Sequence, residues 1–298
     1  MVLKNAHDRR PGGPFVLATR GRLWHHEWTM YGHVIITGAS SGFGIAFARR
    51  LVGECSHMVL VARRKEILLE LADELRAANS ELEVTVHACD LASPGAREQL
   101  VKYLTTLPEG RTLLINNAGL GDYGEYVSST PERNNQMLQV NVLAVAELTR
   151  AVLPRLVAQG GGIINIASLA ADLFIPDFAI YAASKAFVAS FTEAIRLEVR
   201  KAGVPVVAVC PGPVHTGFGE VARRHGCTNG YSPFKKWVYT GVSTVVRGAL
   251  DALEKNKPRY YPSRRIRFIG WLLRNTPLGL LRFVMGQRPR KVAPLPEK

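Results

Sequence analysis

The feature that most constrains this chain of 298 residues is a regular alternation of short apolar runs with helical stretches. Each run is apolar on both faces, as strands in the middle of a parallel sheet are. The six runs are residues 33–37, 58–62, 84–88, 113–115, 163–167 and 204–210. Between the second and third, Ile67, Leu68, Leu71 and Leu75 show helical spacing. The alternation predicts one α/β domain, a Rossmann-type doubly wound parallel sheet in three layers, α/β/α.

A glycine-rich turn, TGASSGFG at residues 37–44, follows the first predicted strand and precedes a predicted helix. Glycines at such a turn let the backbone approach a pyrophosphate, which the positive end of the helix attracts. The spacing Gly-xxx-Gly-x-Gly differs from the usual dinucleotide fingerprint, so in isolation the turn would also suit a simple chain reversal. With its flanking strand and helix it predicts a dinucleotide site. The residues assigned to that site are Gly38, Ser40, Ser41, Gly42, Phe43 and Gly44.

The end of the second predicted strand indicates which dinucleotide binds. A site for NAD usually has Asp or Glu about 20 residues beyond the glycines, where the carboxylate binds the ribose 2′-hydroxyl. This chain has Arg63 and Arg64 there. A guanidinium binds a 2′-phosphate through paired, charge-assisted hydrogen bonds, whereas a carboxylate repels it. We therefore expect NADP(H), with Arg63 as the principal phosphate ligand and Arg64 assisting. The alternative is two solvated arginines at the start of a helix.

The formal net charge of +14 belongs to the two ends of the chain. Residues 1–30 carry five Lys or Arg against two Asp or Glu, and residues 255–298 carry twelve against Glu297 alone. The segment between them is neutral, which argues against a nucleic-acid-binding domain and for basic appendages. The four cysteines form no CxxC pair, so we expect no metal site and no disulfide framework.

The first 30 residues lack the apolar core of a signal peptide and contain two glycines between two prolines. We expect residues 1–30 to be a flexible segment, with Met30 as an alternative start. No uncharged apolar run approaches the roughly 20 residues that span a bilayer. These features predict a cytoplasmic protein that is not secreted.

Several motifs stand further along the chain: CDL at 89–91, NNAG at 116–119, YAASK at 181–185 and PGPVHT at 211–216. Their order resembles that of the short-chain dehydrogenase/reductase family, over about residues 31–262. The resemblance implies contacts of the first motif with adenine, of the second with the adenosine ribose, and of the last with the nicotinamide. The cofactor-binding residues that it adds are Asp90, Leu91, Asn117, Ala118, Gly119, Tyr181, Lys185, Pro211, Gly212, Val214 and Thr216.

The same resemblance implies a catalytic set of Asn141, Ser168, Tyr181 and Lys185. Tyr181 and Lys185 are four residues apart and so share one face of a helix. A free tyrosine has a pKa near ~10, and we expect the nearby ammonium and the oxidised nicotinamide both to favour the phenolate. Ser168 is expected to polarise a substrate carbonyl while Tyr181 exchanges the proton. Asn141 is expected to hold a water that links Lys185 to solvent.

Residues 212–240 are expected to form a lid over the substrate, because residues 217–233 within them are rich in Gly and polar residues and lack a strong period. Aromatic residues in or near this segment indicate an apolar or bulky substrate; the alternative is that they pack the lid onto the body. These residues are Phe218, Tyr231, Phe234, Trp237 and Tyr239.

Residues 263–298 are predicted to be a basic, amphipathic extension of two short segments separated by Thr276-Pro277. The apolar residues of the first segment are expected to gather on one side, with arginines on the other. Those residues are Ile266, Phe268, Ile269, Leu272 and Leu273. They could dock on the enzyme near the substrate cleft or a subunit contact, or lie in an anionic membrane interface. Of the two, we expect docking on protein with the arginines outward.

The leading hypothesis is an NADP(H)-dependent oxidoreductase that interconverts a carbonyl and an alcohol, mainly by reducing an apolar, lipid-like or steroid-like ketone. The expected partners are that small molecule and further copies of the chain, as a homodimer or homotetramer, with no nucleic acid. The alternative is a catalytically silent NADP(H)-binding regulator that engages a membrane or partner through its basic tail. The intact set of four catalytic residues favours the enzyme.

Overall fold

A seven-stranded parallel sheet forms the centre of the protein in a computed structural model that describes residues 30–214, 217–222 and 239–287. The strands run in the order β3-β2-β1-β4-β5-β6-β7. Their bounds are β1 Tyr31–Thr37, β2 Cys55–Ala62, β3 Glu83–Ala88, β4 Thr112–Asn116, β5 Gly161–Ile166, β6 Val206–Val209 and β7 Arg259–Tyr260. The order reverses between β1 and β4, so the fold is the predicted doubly wound α/β sheet.

Helices cover both faces of this sheet. Their bounds are α1 Gly42–Leu51, α2 Lys65–Ala78, α3 Pro94–Thr105, α4 Pro131–Leu138, α5 Ala144–Gln159, α6 Ala179–Glu198, α7 Phe218–Val221, α8 Val242–Glu254, α9 Arg264–Asn275 and α10 Leu278–Gly286. Adjacent side chains of β1 point to opposite faces: Ile36 packs in the cluster with α1, α2 and α8, and Ile35 in the cluster with α3 and α5. This two-sided burial explains why the strands read as continuous apolar runs.

The six predicted strands are confirmed, with bounds shifted by one to three residues at most ends. The predicted helix spacing is also confirmed, because Leu68, Leu71 and Leu75 of α2 are buried. The seventh strand, Arg259–Tyr260, was not predicted. It has two residues, both half-buried, and so carries no apolar run that a sequence pattern could detect.

A column of buried polar side chains fixes helices α5 and α6 to the middle of the sheet. The Asn116 amide donates to the Asn165 carboxamide oxygen at 2.9 Å and to Thr149 of α5 at 3.2 Å. Asn165 in turn donates to Thr192 of α6 at 2.9 Å. Buried polar groups that pair in this way define one arrangement of their elements, because leaving any of them unpaired costs free energy. The column therefore sets the position of α6, which carries Tyr181 and Lys185.

The C-terminal residues form two helices, as predicted, but the enzyme covers only some of their apolar residues. In α9, Ile266 is buried and Ile269 and Leu273 pack around it, whereas Phe268 and Leu272 are exposed. Only part of the apolar group expected on one side of α9 therefore docks on the enzyme. The receiving surface is small, consisting of Leu169 and Tyr261, and it admits only a narrow stripe of the helix.

Among the described ranges, no helix has the length and apolar character needed to cross a membrane. Cys55, Cys89 and Cys210 are buried and free of disulfide bonds. Burial raises the pKa of Cys89 to about 11 and that of Cys210 to about 12. The fourth cysteine, Cys227, lies outside the described residues.

Candidate active site

A cavity of about 840 Å³ opens at the carboxyl ends of the central strands. This is where open α/β sheets bind their ligands, beside the point at which the strand order reverses. Most of the site residues predicted from the sequence line this cavity together, as residues of a single site should. They are Gly38, Ser40, Ser41, Gly42, Phe43, Arg63, Arg64, Asp90, Leu91, Asn117, Ala118, Gly119, Ser168, Tyr181, Lys185, Pro211, Gly212 and Val214. Thr216 lies outside the described residues.

The glycine turn between β1 and α1 has a backbone that other residues would not adopt readily. Gly38 and Gly42 have φ values of +64° and +50°, in the left-handed region. A Cβ at Gly44 would collide with the carbonyl oxygen of Gly38. The turn therefore requires its glycines, and it presents bare backbone and the N-terminus of α1 to the cavity. That arrangement fits a pyrophosphate.

Two arginines follow β2 at the same edge of the cavity. The Arg64 guanidinium donates to the carbonyl oxygen of Ser40 at 2.9 Å and to its hydroxyl at 3.0 Å. Arg64 is thereby held against the glycine turn. Arg63 is exposed and also lines the cavity. The two positive charges stand where an acidic residue would bind a ribose 2′-hydroxyl, and they suit a phosphate there.

Residues that follow β3 and β4 build a second wall of the cavity. The Asn117 amide donates to the carbonyl oxygens of Thr37 and Gly38, at 2.8 and 3.2 Å, and so ties this loop to the glycine turn. The Asp90 carboxylate accepts the Ala92 N–H at 3.0 Å and closes a tight turn. These bonds hold the two loops in one shape, with their backbone lining the cavity.

Ser168 and Tyr181 meet at the opposite end of the cavity. Ser168 follows β5, and its hydroxyl accepts the Ala170 N–H at 3.1 Å, which caps a short 3₁₀ turn at Leu169–Asp172. Tyr181 lies in the first turn of α6, lines the same cavity and has the Ser168 side chain beside its phenol. A substrate carbonyl oxygen that lies between the two hydroxyl groups can accept from both.

Burial controls the acidity of this tyrosine. It raises the pKa of Tyr181 to about 12, while the hydrogen bond with Ser168 acts in the lowering direction. The shift toward the phenolate expected from the ammonium is therefore not found at Tyr181 in the protein alone, and the effect expected from the oxidised nicotinamide stays a prediction. Lys185 Nζ lies 5.8 Å from the centre of the Tyr181 ring and donates to the Ile166 carbonyl at 2.8 Å. Loss of solvent outweighs the ammonium at that distance.

Lys185 is buried on the same face of α6, one turn after Tyr181. Burial lowers the pKa of Lys185 to about 8, because the ammonium loses its water shell. The nearest part of the cradle is Gly119, where a Cβ would stand 3.3 Å from Nζ. The ammonium therefore lies between the tyrosine and the loop that follows β4, in position to reach a bound ribose as well.

Asn141 occupies an irregular stretch that the sequence did not reveal. Residues Gln139–Leu143 form one π-helical turn between α4 and α5. The Asn141 carboxamide oxygen accepts the Leu120 N–H at 2.8 Å, and its nitrogen donates to the Leu120 carbonyl at 2.9 Å and to the Ser184 hydroxyl at 3.0 Å. Its side chain thus fixes the loop after Gly119 against α6. The expected water link from Asn141 to Lys185 stays a prediction. Because the Asn141 side chain is occupied by these hydrogen bonds, its backbone would have to bind that water.

An aromatic cluster surrounds the tyrosine. Phe178 stacks on Tyr181 with ring centres 4.1 Å apart, and Phe218 lies 5.5 Å from the same ring. Tyr123 packs edge-on against Phe178 at 5.7 Å. Phe218 was expected near the substrate, but Phe178 was missed. Its position three residues before Tyr181, at the start of the same helix, was the available signal.

The proposed lid is described only in part. Phe218 and Tyr239 line the cavity. Tyr231, Phe234 and Trp237 lie outside the described residues. Within the described ranges, no group of three or more His, Cys, Asp or Glu side chains could hold a metal ion.

Comparison with known sequences points to one family. The family model for short chain dehydrogenase matches residues 32–225. Sulfoacetaldehyde reductase 2 of Chromohalobacter salexigens is 35% identical over 188 residues, covering 62% of this chain and 73% of that protein. Dehydrogenase/reductase SDR family member 7B of Bos taurus is 30% identical, covering 87% and 81%. Very-long-chain 3-oxoacyl-CoA reductase of Homo sapiens is 31% identical, covering 66% and 62%.

Solved structures give the same fold with both forms of the dinucleotide. A short-chain dehydrogenase from Sphingobium yanoikuyae in complex with NADPH superposes with a TM-score of 0.71 and 28% identity, covering 88% of this chain and 98% of that one. A short-chain dehydrogenase/reductase from Burkholderia phymatum in complex with NAD superposes with a TM-score of 0.69 and 26% identity, covering 89% and 99%.

Proposed function

The chain belongs to the short-chain dehydrogenase family, and we propose that it is an NADP(H)-dependent enzyme that reduces an apolar ketone to an alcohol. The observation that carries this proposal is the proximity of the Ser168 and Tyr181 side chains in a cavity that the glycine turn also lines. The pair supplies a proton donor and an oxyanion partner beside a dinucleotide cradle. Carbonyl reduction requires those parts and no metal ligand from the protein.

The arginines support NADP(H) over NAD(H). Related structures hold either NADPH or NAD, so the family alone leaves the choice open. In this chain Arg64 is hydrogen-bonded to Ser40, and Arg63 is exposed at the same edge of the cavity. We propose that Arg63 is the principal ligand of the 2′-phosphate and that Arg64 assists. One charge-assisted hydrogen bond of this kind stabilises the complex by about 1.5–3 kcal/mol.

The catalytic step follows from the positions of the side chains. NADPH, when bound, supplies the hydride to the carbonyl carbon. Ser168 and Tyr181 donate hydrogen bonds to the carbonyl oxygen, and Tyr181 gives its proton to the developing alkoxide. Because the pKa of Tyr181 is near 12, its phenol is protonated at neutral pH and ready for reduction. The Lys185 ammonium stabilises the phenolate that remains, and Asn141 acts as a positioning residue.

The substrate half of the cavity favours an apolar ketone. The charged side chains among the described lining residues are Arg63, Arg64, Asp90 and Lys185, all in the dinucleotide half or beside Tyr181. Around the phenol the wall is built from Leu169, Leu173, Ile175, Phe178 and Phe218. Among the described residues around the phenol, a substrate carboxylate or sulfonate would lose its water and meet no cation besides Lys185. We therefore propose a lipid-like or steroid-like ketone.

The wider organisation is part of the same proposal. Residues 31–262 form the catalytic unit, with 212–240 as the lid and 263–298 as an appended segment. The enzyme works as a homodimer or homotetramer in the cytoplasm, and the appended segment docks on the enzyme through Ile266 of α9. No nucleic acid is expected as a partner, because the basic residues of the tail alternate with apolar ones.

A ketone screen tests this function. Nicotinamide absorbance is followed with NADPH and with NADH, using apolar cyclic and long-chain ketones beside small acidic aldehydes. The proposal expects turnover with apolar ketones and NADPH. Tight NADPH binding without turnover of any carbonyl compound, in either direction, would instead support a silent regulator. Turnover confined to small acidic aldehydes would contradict the substrate proposal alone.

A further inference from the structure

The outer sides of α9 and α10 expose a concentration of large apolar side chains. Within the described ranges, seven such exposed residues fall between residues 268 and 284. They are Phe268, Trp271, Leu272, Leu278, Leu280, Phe283 and Val284. Phe268 is 62% exposed although its ring stacks with that of Trp271, with centres 6.1 Å apart. Single exposed apolar residues are ordinary on proteins, but a concentration of this kind marks a binding surface.

Helix α9 has two apolar sides with different neighbours. Ile266 and Gly270, one turn apart, face the protein: Ile266 packs on Leu169, and Gly270 lies against the Tyr261 ring. Phe268, Trp271 and Leu272 share the opposite side, at the spacing that places residues on one helix face. The inner side accounts for the attachment of α9 to the enzyme. The outer side has no such role in the described part of the chain.

Arginines flank this outer side, and neither helix contains an acidic residue. Arg264, Arg267 and Arg274 of α9 and Arg282 of α10 are all exposed. The sequence continues with further basic residues at 288, 290 and 291. The surface therefore combines exposed apolar and aromatic groups with positive charge alone. A matching partner must offer negative charge next to an apolar layer.

We propose that the outer sides of α9 and α10 bind the surface of an anionic phospholipid bilayer and lie parallel to it. Such a surface has phosphate and acidic headgroups directly above an apolar layer, which suits arginines beside Phe, Trp and Leu. A helix of 12 residues is about 18 Å long, less than the roughly 30 Å of a bilayer core. The helices can therefore lie in the interface, and neither can span the membrane.

A second copy of the chain is a poorer partner for the same surface. In a twofold contact the same patch meets itself, so the arginines of one copy would approach those of the other. Neither helix supplies a carboxylate to separate them. Like charges brought together in an interface oppose association. Charge therefore favours lipid over self-association.

The helix α9 that carries part of the proposed lipid-binding surface packs against the wall of the substrate cavity. Leu169 lines the cavity, follows Ser168 directly, and packs against Ile266 of α9. This part rests on the proposed function: an apolar ketone dissolved in the bilayer would reach an enzyme whose cavity wall is joined to the docking helix. Vesicle binding itself requires no catalytic activity, so the two proposals can fail separately.

Flotation with lipid vesicles tests the inference on the full chain. One set of vesicles is phosphatidylcholine alone, and in the other about a third of the lipid is phosphatidylglycerol. The wild type should float with the anionic vesicles, float less as salt is raised, and stay unbound to the neutral ones. A triple variant, Phe268→Ser, Trp271→Ser and Leu272→Ser, should lose at least about tenfold in affinity for the anionic vesicles. Arg264→Gln and Arg267→Gln should each weaken binding by about fivefold.

The matched control removes three exposed apolar residues from the body of the enzyme: Leu69→Ser, Val157→Ser and Leu197→Ser. It should float as the wild type does. Both triple variants should reduce a soluble ketone at the wild-type rate without vesicles, which shows that they are folded. Absence of the wild type from both kinds of vesicle would overturn the inference. It would also be overturned if the control variant lost vesicle binding as strongly as the α9 variant. A third contrary result is that the wild type binds no vesicles while the α9 variant changes from oligomer to monomer.

Discussion

The ring of Phe178 lies flat on the ring of Tyr181, with centres 4.1 Å apart and planes inclined by 19°. This contact covers the phenol on one side and contributes to the burial that raises its pKa to about 12. A tyrosine in this state keeps its proton at neutral pH. The stack therefore favours the reductive direction, in which the phenol donates.

Removing the stack should shift the pH dependence of the reverse reaction. Alcohol oxidation needs the phenolate as proton acceptor, so its rate rises as pH approaches the pKa of Tyr181. Phe178→Ala admits water to the ring, weakens the desolvation that raises this pKa, and should move the rise to lower pH. The measurement is kcat/KM for oxidation against pH. Phe187→Ala, which breaks a stack with Phe191 further along α6, should leave the profile unchanged.

Ser168→Ala should lower kcat for ketone reduction by about 10²–10³, the usual effect of losing one oxyanion donor. NADPH affinity should change little, because Ser168 lies at the far end of the cavity from the glycine turn. Ser168→Thr keeps a hydroxyl and should recover part of the rate. Similar losses in both variants would assign Ser168 to capping the Leu169–Asp172 turn and not to chemistry.

Arg63→Ala should weaken NADPH binding by about tenfold or more and leave NADH binding nearly unchanged, since only NADPH carries the 2′-phosphate. Titration calorimetry with both dinucleotides gives the comparison. Lys65→Ala, which removes an exposed positive charge two residues later, is the control for general electrostatic attraction. Equal affinity of the wild type for the two dinucleotides would contradict the assigned role.

Lys185→Met should stabilise the fold at neutral pH while abolishing efficient catalysis. The folded-state pKa of Lys185, about 8, lies below its ordinary value of 10.5, so the folded protein disfavours the ammonium. Below pH 8 the cost of burying the ammonium is fully present and lowers the stability of the wild type by on the order of 3 kcal/mol. Lys185→Met removes this cost but also loses the hydrogen bond to Ile166, which offsets part of the gain. Between pH 8 and 10.5 the unfolded chain binds more protons, so wild-type stability should rise with pH. Denaturant unfolding should show this rise in the wild type and not in Lys185→Met.

The strands and the dinucleotide cradle could be predicted because their signals are local. A buried strand is an unbroken apolar run, and the glycines after β1 are required by the backbone itself, as at Gly38. The pairing of Ser168 with Tyr181 followed from motif order. Three features had no local signal. The π-helical turn at Asn141 arises from packing against Leu120 and Ser184, which are distant in sequence.

The other two features without a local signal, the burial of Tyr181 and the covered side of α9, depend on tertiary surroundings. Burial of Tyr181 results from several elements closing over it, so sequence reasoning weighed the nearby charge and missed the larger effect of desolvation. In α9 the apolar residues occur on two sides, and only the receiving surface at Leu169 decides which side is covered. Periodicity shows that Ile266 and Trp271 lie on different faces, but it does not show which face meets protein.

Tyr181→Phe removes the proton donor and keeps the ring that stacks on Phe178, so it isolates the role of the phenol in catalysis. Turnover of a ketone identified with the wild type is measured beside NADPH affinity and thermal unfolding. The account predicts a rate lower by about 10²–10⁴, the usual contribution of a general acid, with NADPH affinity and unfolding temperature nearly unchanged. A variant that keeps more than about a tenth of the wild-type rate, with chemistry rate-limiting, would contradict it.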